Sequence, residues 1–380
     1  MTFRLDLSGD THYRMWLLLG EAKSKCEHLA GSPLMPSIAK EMHQIFMAKG
    51  VHATTAIEGN TLSEEAVARR MEGKLELPIS QKYLGQEVDN VLTCINAVYR
   101  RLLADGPDEL SPDLLCRTNR AVLEGLDLPE EVQPGRVRRH EVGVAGYHGA
   151  PAVDCAHLLE KLCTWLNDPR FQPEGVSRIP MGLLRAILAH LYIAWIHPFG
   201  DGNGRTARLV EFEVLVASGV PSPAAHLLSN HYNITRAEYY RQLDAASRAG
   251  GGPFGFIEYA LQGFVDGLRS QLEWVKAQQH QLAWRDYARD ILRGYPEAAG
   301  KRLSALVEAV TASPEAVSIA QMPELSPRLA ALYAQKSPRT LLRDIALLTK
   351  LELLERQPDR HYRARTELLE AFLPVRVQGR

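Results

Sequence analysis

His197-Pro-Phe-Gly-Asp-Gly-Asn-Gly-Arg-Thr-Ala-Arg208 decides the reading of this chain. Twelve residues hold a titratable base, a carboxylate, a glycine-rich turn and two arginines. With each residue type used at about one position in twenty, eight specified positions recur by chance in such a chain with a probability on the order of 10⁻⁸. Upstream, Met181 to Ile196 is apolar nearly all round, which predicts a buried helix. His197-Pro198 ends it, because the residue before a proline is driven out of the helical region. A second helix is expected from Arg205 through Leu215, so the glycines fall in a tight loop at a helix N-terminus.

Such a loop is an anion site. Unpaired N–H groups and the positive end of the helix dipole favour phosphate oxygens. Gly202 and Gly204 permit positive φ and close backbone approach, and Asn203 carries an amide to donate. Arg205 and Arg208 oppose the dipole at that end, which points to a polyanion they pair with. Asp201 is the one carboxylate, suited to hold Mg²⁺ together with phosphate oxygens. His197, with an unperturbed pKa of about 6.5, suits a general base. No second His or Cys stands at zinc-ligand spacing.

These residues resemble the signature of the Fic family (filamentation induced by cAMP), His-x-Phe-x-Asp/Glu-Gly-Asn-Gly-Arg-x-x-Arg, and every specified position matches. The resemblance implies a mainly α fold, a helical core with a small β-hairpin flap, and Mg²⁺-dependent transfer of AMP from ATP to a Ser, Thr or Tyr hydroxyl of a protein. His197 would be catalytic and Asp201 would bind the metal. Gly202, Asn203, Gly204, Arg205, Thr206, Ala207 and Arg208 would line the nucleotide, Arg208 at the γ-phosphate. Thr54-Thr-Ala-Ile-Glu58-Gly59-Asn60 resembles the family's inhibitory helix, in which Glu58 would pair with Arg208. Arg136 to Pro151 reads as a hairpin and resembles the flap, with Val144, Ala145, Gly146 and Tyr147 against the nucleotide. The flap would present the target as an added strand. The segment around Tyr239 and Tyr240 resembles the helix that closes the adenine pocket. Removal of AMP at the same site, and a nucleotide-sensing transcriptional regulator, are the alternatives.

The 380 residues, 46% of them hydrophobic, are expected to form two to three domains. The boundaries read as an N-terminal helical region with the inhibitory helix over 1–109, the core over 110–268, a linker helix over 269–296 and a C-terminal domain over 297–380. A net charge of −1 argues against bulk electrostatic capture by nucleic acid or membrane. Arg185 and His190 interrupt the most apolar run, which reads as too polar to span a bilayer. Five cysteines without CxxC spacing fit reduced thiols, and with no apolar signal core at the start the location is expected to be cytoplasmic.

Near the end, Ser337-Pro-Arg-Thr opens a helix as Ser N-cap and Pro at N1. With the hairpin-like tail after Leu351 it resembles a winged helix-turn-helix. Arg339, Arg343 and Lys350 could meet DNA phosphates. Asp344, Glu352 and Glu355 dilute that charge, so a protein-interaction or homodimerisation wing is the expectation favoured over DNA binding.

Overall fold

Burial of one very apolar helix organises the chain. The computed structural model describes residues 3–5, 12–144, 147–171, 175, 178–248 and 251–369. The helices in its first part are α1 (Tyr13–Gly31), α2 (Pro36–Ala56), α3 (Glu64–Met71), α4 (Lys82–Ala104) and α5 (Pro112–Val122). A hairpin follows, β1 (Gly143–Val144) with β2 (Tyr147–His148), pairing Val144 with Tyr147. Then come α6 (Ala152–Leu166), α7 (Arg178–Ile196), α8 (Asn203–Ala217), α9 (Ser222–Ala225), α10 (Leu227–Ile234), α11 (Arg236–Ser247) and α12 (Pro253–Leu292). The chain divides into two compact units, Met1–Val275 and Lys276–Arg380, with the division inside α12.

In the first unit α7 is the core. Leu183, Leu184, Ile187, Leu188 and Leu191 are fully buried, each worth roughly 1.5–3 kcal/mol relative to exposure. It is long and apolar enough to cross a membrane by length and composition, with a mean hydropathy of 1.6, so the sequence reading of it as too polar is corrected. Helices α1, α6, α8 and α11 pack around it instead, and 72% of that window is buried inside the protein. Two of its polar residues find partners within the fold. Arg185 donates to the Leu166 carbonyl (2.9 Å) and to Asn167 Oδ1 (2.7 Å), while His190 Nε2 meets the Tyr239 hydroxyl at 2.9 Å. The N-terminal helices share this core: Met15, Val51, Val88 and Val91 belong to the same buried cluster as α7. Residues 1–109 and 110–268 therefore pack as parts of one unit.

Helix α8 packs on α7, α5 and α4. On α2, Gly50 admits the His226 ring so closely that a Cβ would lie 2.2 Å from its Nδ1. That contact presses α2 onto the core just upstream of Glu58. The cysteines Cys26, Cys94, Cys155 and Cys163 are buried, and burial pushes the Cys26, Cys94 and Cys163 thiols up to about 12.

The second unit holds α13 (Glu297–Ala312), α14 (Pro327–Tyr333), α15 (Pro338–Lys350) and the hairpin β3 (Leu354–Arg356) with β4 (Tyr362–Ala364). Val317 bridges Tyr362 as an isolated extra pairing. Leu303, Leu306, Leu329, Ile345, Leu348 and Leu353 make its core. Ser337 occupies the N-cap of α15 with Pro338 behind it, as expected, and its hydroxyl faces Thr340 Oγ1 at 3.4 Å rather than making a cap bond.

Candidate active site

The end of α7 delivers His197 to the site. Its backbone N–H still bonds the Ile193 carbonyl (2.9 Å), yet φ turns to +50°, a conformation unusual outside glycine. Arg138 holds that kink. Its Nε donates to the His197 carbonyl at 2.7 Å, Nη1 to the His140 carbonyl at 2.8 Å, and Nη2 to the Ala150 carbonyl. Its own N–H bonds the Pro198 carbonyl, and Ala150 N–H bonds the Ile196 carbonyl. Gly149 packs so tightly here that a Cβ would stand 2.8 Å from His197 Cβ. Burial lowers the imidazole pKa below its ordinary 6.5, with Arg138 pushing the same way and Glu58 and Asp201 pulling back. The ring is thus a neutral acceptor at pH 7.

Gly202 forms the N-cap of α8 in the left-handed region (φ 73°), and the first helical bond runs from Thr206 N–H to the Gly202 carbonyl. The N–H groups of Asn203, Gly204 and Arg205 therefore precede the helical ladder. Asn203 does not offer its amide to a ligand as the sequence suggested. Its Oδ1 accepts from Phe199 N–H (2.9 Å) and its Nδ2 donates to the Phe199 carbonyl (2.8 Å), closing the loop as a buried clamp. From α5, the fully buried Asn119 donates to the Asp201 carbonyl (2.9 Å) and to Thr206 Oγ1 (3.3 Å), and accepts from Gly135 N–H. Asp201 keeps 45% of its side chain exposed, and its Oδ1 accepts from Gly202 N–H.

Above this cradle sits Glu58, just past the C-terminus of α2. Arg208 Nη2 donates to Glu58 Oε1 at 2.5 Å and to the Thr54 carbonyl at 2.9 Å. The arginine is 1% exposed, while the Glu58 side chain retains 31%. The carboxylate lies directly on the loop: a Cβ on Gly204 would be 2.1 Å from Glu58 Oε1. Burial alone would raise the Glu58 pKa, but Arg208, then Arg205 and His197, outweigh it and hold the carboxyl below its ordinary value. The anion position at the helix N-terminus is filled by the protein's own carboxylate.

Arg205 is buried against a partner the sequence reading missed. Its Nη1 donates to Glu87 Oε1 of α4 at 2.9 Å, and its Nη2 lies 3.4 Å from Asp201 Oδ1. Glu87 also accepts from Asn60 Nδ2 at 2.8 Å, so one carboxylate ties the segment after Glu58 to the motif. Asn119, Glu87 and Arg138 carry no local signal, since each acts on residues 59 to 118 positions away. Arg205 Nε and Arg208 Nε remain buried without hydrogen-bond partners among the described residues. Two orphaned cationic donors beside a cradle suit a polyanionic ligand.

Other expected contacts fall elsewhere. Thr206 and Ala207 are fully buried, with the Thr206 hydroxyl turned to Asn119, so neither side chain faces the cradle. Tyr239 is 2% exposed, bonded to His190 and stacked on Tyr232 with ring centroids 4.8 Å apart, which makes it a core residue. Tyr240 is at the rim and donates to the Ile57 carbonyl at 3.4 Å, next to Glu58. In the flap, Val144 and Tyr147 pair across the hairpin, while Ala145 and Gly146 lie outside the described residues.

Known proteins resemble this chain in sequence and in fold. Residues 109–215 match the profile of the Fic/DOC family. Protein adenylyltransferase fic-1 of Caenorhabditis elegans is 30% identical over 255 residues, 66% of this chain and 46% of that protein. Protein adenylyltransferase Fic of Nematostella vectensis is 30% identical over 228 residues, 59% of this chain and 48% of that protein. The chain thus spans about half the length of the curated relatives it matches. Among solved structures, Fic-1 (residues 134–508) of C. elegans superposes with a TM-score of 0.58 at 26% identity, over 70% of this chain and 74% of that one. A Fic family protein from Desulfovibrio desulfuricans G20 gives 0.57 at 22% identity over 92% and 95%, a likeness of fold. Residues 109–215 are thus a Fic/DOC domain.

Proposed function

We propose that this chain is a protein adenylyltransferase that takes AMP from ATP, requires Mg²⁺, and is held inactive by Glu58. The observation that carries the reading is the Glu58–Arg208 pair, with its carboxylate pressed on Gly204 where a terminal phosphate would sit. The names of the relatives, protein adenylyltransferases, support the same reaction class.

In this mechanism the N–H groups at the start of α8 and the forks of Arg205 and Arg208 bind the triphosphate. His197, neutral at pH 7, takes the proton of a Ser, Thr or Tyr hydroxyl on the target. The hydroxyl oxygen forms a bond to the α-phosphorus as the bond from that phosphorus to the bridging oxygen breaks, and pyrophosphate leaves. Arg138 keeps the imidazole aimed by holding the His197 carbonyl. Asp201 would hold a magnesium ion, because its Oδ2 has no protein partner among the described residues and its side chain is half exposed. Bound there, the ion would neutralise charge developing on the leaving pyrophosphate. The β1–β2 hairpin would receive the target segment as an added strand.

The test is to incubate the Glu58→Gly protein with Mg²⁺ and ATP labelled at the α- or the γ-phosphate, and to locate the label by mass spectrometry. Transfer of α-label to a hydroxyl residue is expected. Transfer of γ-label, or no transfer while ATP binds, overturns the reading. Release of AMP to water from an already modified target by the wild-type chain would identify removal by hydrolysis as the activity instead.

A further inference from the structure

Formal charge is not spread evenly along this chain. Residues 276–380 hold 17 Lys and Arg against 12 Asp and Glu, a balance of +5, whereas residues 1–275 carry −6. The near-neutral total hides a basic second unit, and the structure concentrates its free charge further.

Every acidic residue from Asp344 to Glu367 is engaged. Asp344, which by sequence dilutes the charge of α15, is turned into the core. Arg302 Nε donates to it at 2.5 Å and the Tyr333 hydroxyl at 2.9 Å. Glu352 pairs with Arg365, Glu355 with Arg363, Asp359 with His361, and Glu367 with both Arg363 and Arg365. Over residues 334–369, six cations have no acidic partner among the described residues: Lys336, Arg339, Arg343 and Lys350 in and before α15, and Arg356 and Arg360 on the β3–β4 hairpin. All six are exposed.

On α15 the spacing is that of one helix face. Arg339, Leu342, Arg343, Ala346 and Lys350 are exposed, while Leu341, Asp344, Ile345 and Leu348 are buried. Leu342 is 49% exposed between two arginines. A turn of four residues separates α15 from α14, and the hairpin follows directly.

We propose that the exposed face of α15 binds double-stranded DNA, with Arg339, Arg343 and Lys350 on phosphates and Leu342 toward the groove floor. An α-helix with side chains is about 10–12 Å across, and the major groove is about 12 Å wide. Cations spaced along a single face suit two strands of regularly spaced phosphates, and an apolar side chain between them suits thymine methyl groups. Arg356 and Arg360 extend the same charge onto the hairpin.

The experiment uses the full chain and a fluorescein-labelled random-sequence duplex, read by anisotropy between about 50 and 200 mM salt. Binding should tighten as salt falls. Arg339→Gln with Arg343→Gln should flatten the log–log slope by about 1.8, at about 0.9 per phosphate contact. Arg285→Gln with Arg289→Gln on α12 removes the same charge from another surface and should leave the slope unchanged. All these side chains are exposed; should the α15 pair fail to fold by circular dichroism, Lys350→Gln reads the same helix face, with the slope flattened by about 0.9. No duplex binding by wild type up to about 10⁻⁴ M, the weak end of non-specific affinity, overturns the proposal. So does equal loss in the α15 and α12 variants, or tighter binding to anionic vesicles or polyglutamate than to the duplex.

Discussion

Replacing Glu58 by glycine should strengthen ATP binding and release AMP transfer, and the structure sets the size of both effects. Glu58 and the γ-phosphate compete for one fork, because Arg208 Nη2 already donates to Glu58 Oε1 at 2.5 Å. A hydrogen bond to a charged group contributes about 1.5–3 kcal/mol. Freeing Arg208 should therefore tighten ATP by about 10–150-fold at about 1.4 kcal/mol per tenfold. Without ATP the same change leaves Arg208, 1% exposed, with only the Thr54 carbonyl as partner. Losing one side of a buried pair costs about 3–5 kcal/mol and of an exposed pair about 0–1. With 31% of the Glu58 side chain in solvent, about 2 kcal/mol is expected, a fall in melting temperature of about 4–8 °C. Saturating ATP should restore it. Glu58→Gln, which keeps the side-chain volume, separates charge from occlusion. The Glu58 pKa is depressed in the folded protein, so its contribution is complete above its ordinary 4.5 and is lost only as pH falls through the lower folded value. The wild-type advantage over Glu58→Gln should hence be flat near neutrality and shrink in acid. Calorimetric titration with ATP, thermal unfolding and α-label transfer check these points. The reasoning is refuted if ATP affinity changes less than about threefold, or if Arg208→Ala in the Glu58→Gly background leaves the gain intact, since residues acting as a unit must be non-additive.

In that activated background, His197→Ala should lower transfer by about 10²–10⁴-fold with ATP affinity within a few-fold. The acidic limb of the parent's pH–rate profile should fall below 6.5, because burial keeps the imidazole neutral; a limb above 6.5 contradicts the assignment. Arg138→Ala should reduce kcat with little change in the KM for ATP, and add nothing to His197→Ala, because its fork touches the His197 carbonyl rather than the phosphate cradle. Equal effects on kcat and KM would mean general collapse of the loop. Asp201→Asn should raise the Mg²⁺ midpoint of transfer, since the amide loses the charge that holds the ion; an unchanged midpoint would leave Asp201 its contacts with Gly202 N–H and Arg205.

The sequence by itself determined whatever depends on near neighbours. His197-Pro198 stops α7, Gly202 caps α8 in the left-handed region, and the two arginines fall within the first turns of that helix, all from rules acting over four residues or fewer. It also placed a helix over Ser337–Thr349 and a hairpin after it, within a few residues of α15 and β3–β4. Tertiary structure alone decided the partners of the charges. Arg208 meets Glu58 across 150 positions, Arg205 meets Glu87 across 118, and Asp344 leaves the surface for Arg302 across 42. The same packing turned Asn203 and Tyr239 from apparent ligand contacts into a loop clamp and a core residue. Residue type says that a side chain can pair or hydrogen-bond, but desolvation selects the partner. A buried cation or amide must take whichever acceptor the packed helices bring within about 3 Å, and that depends on the whole core.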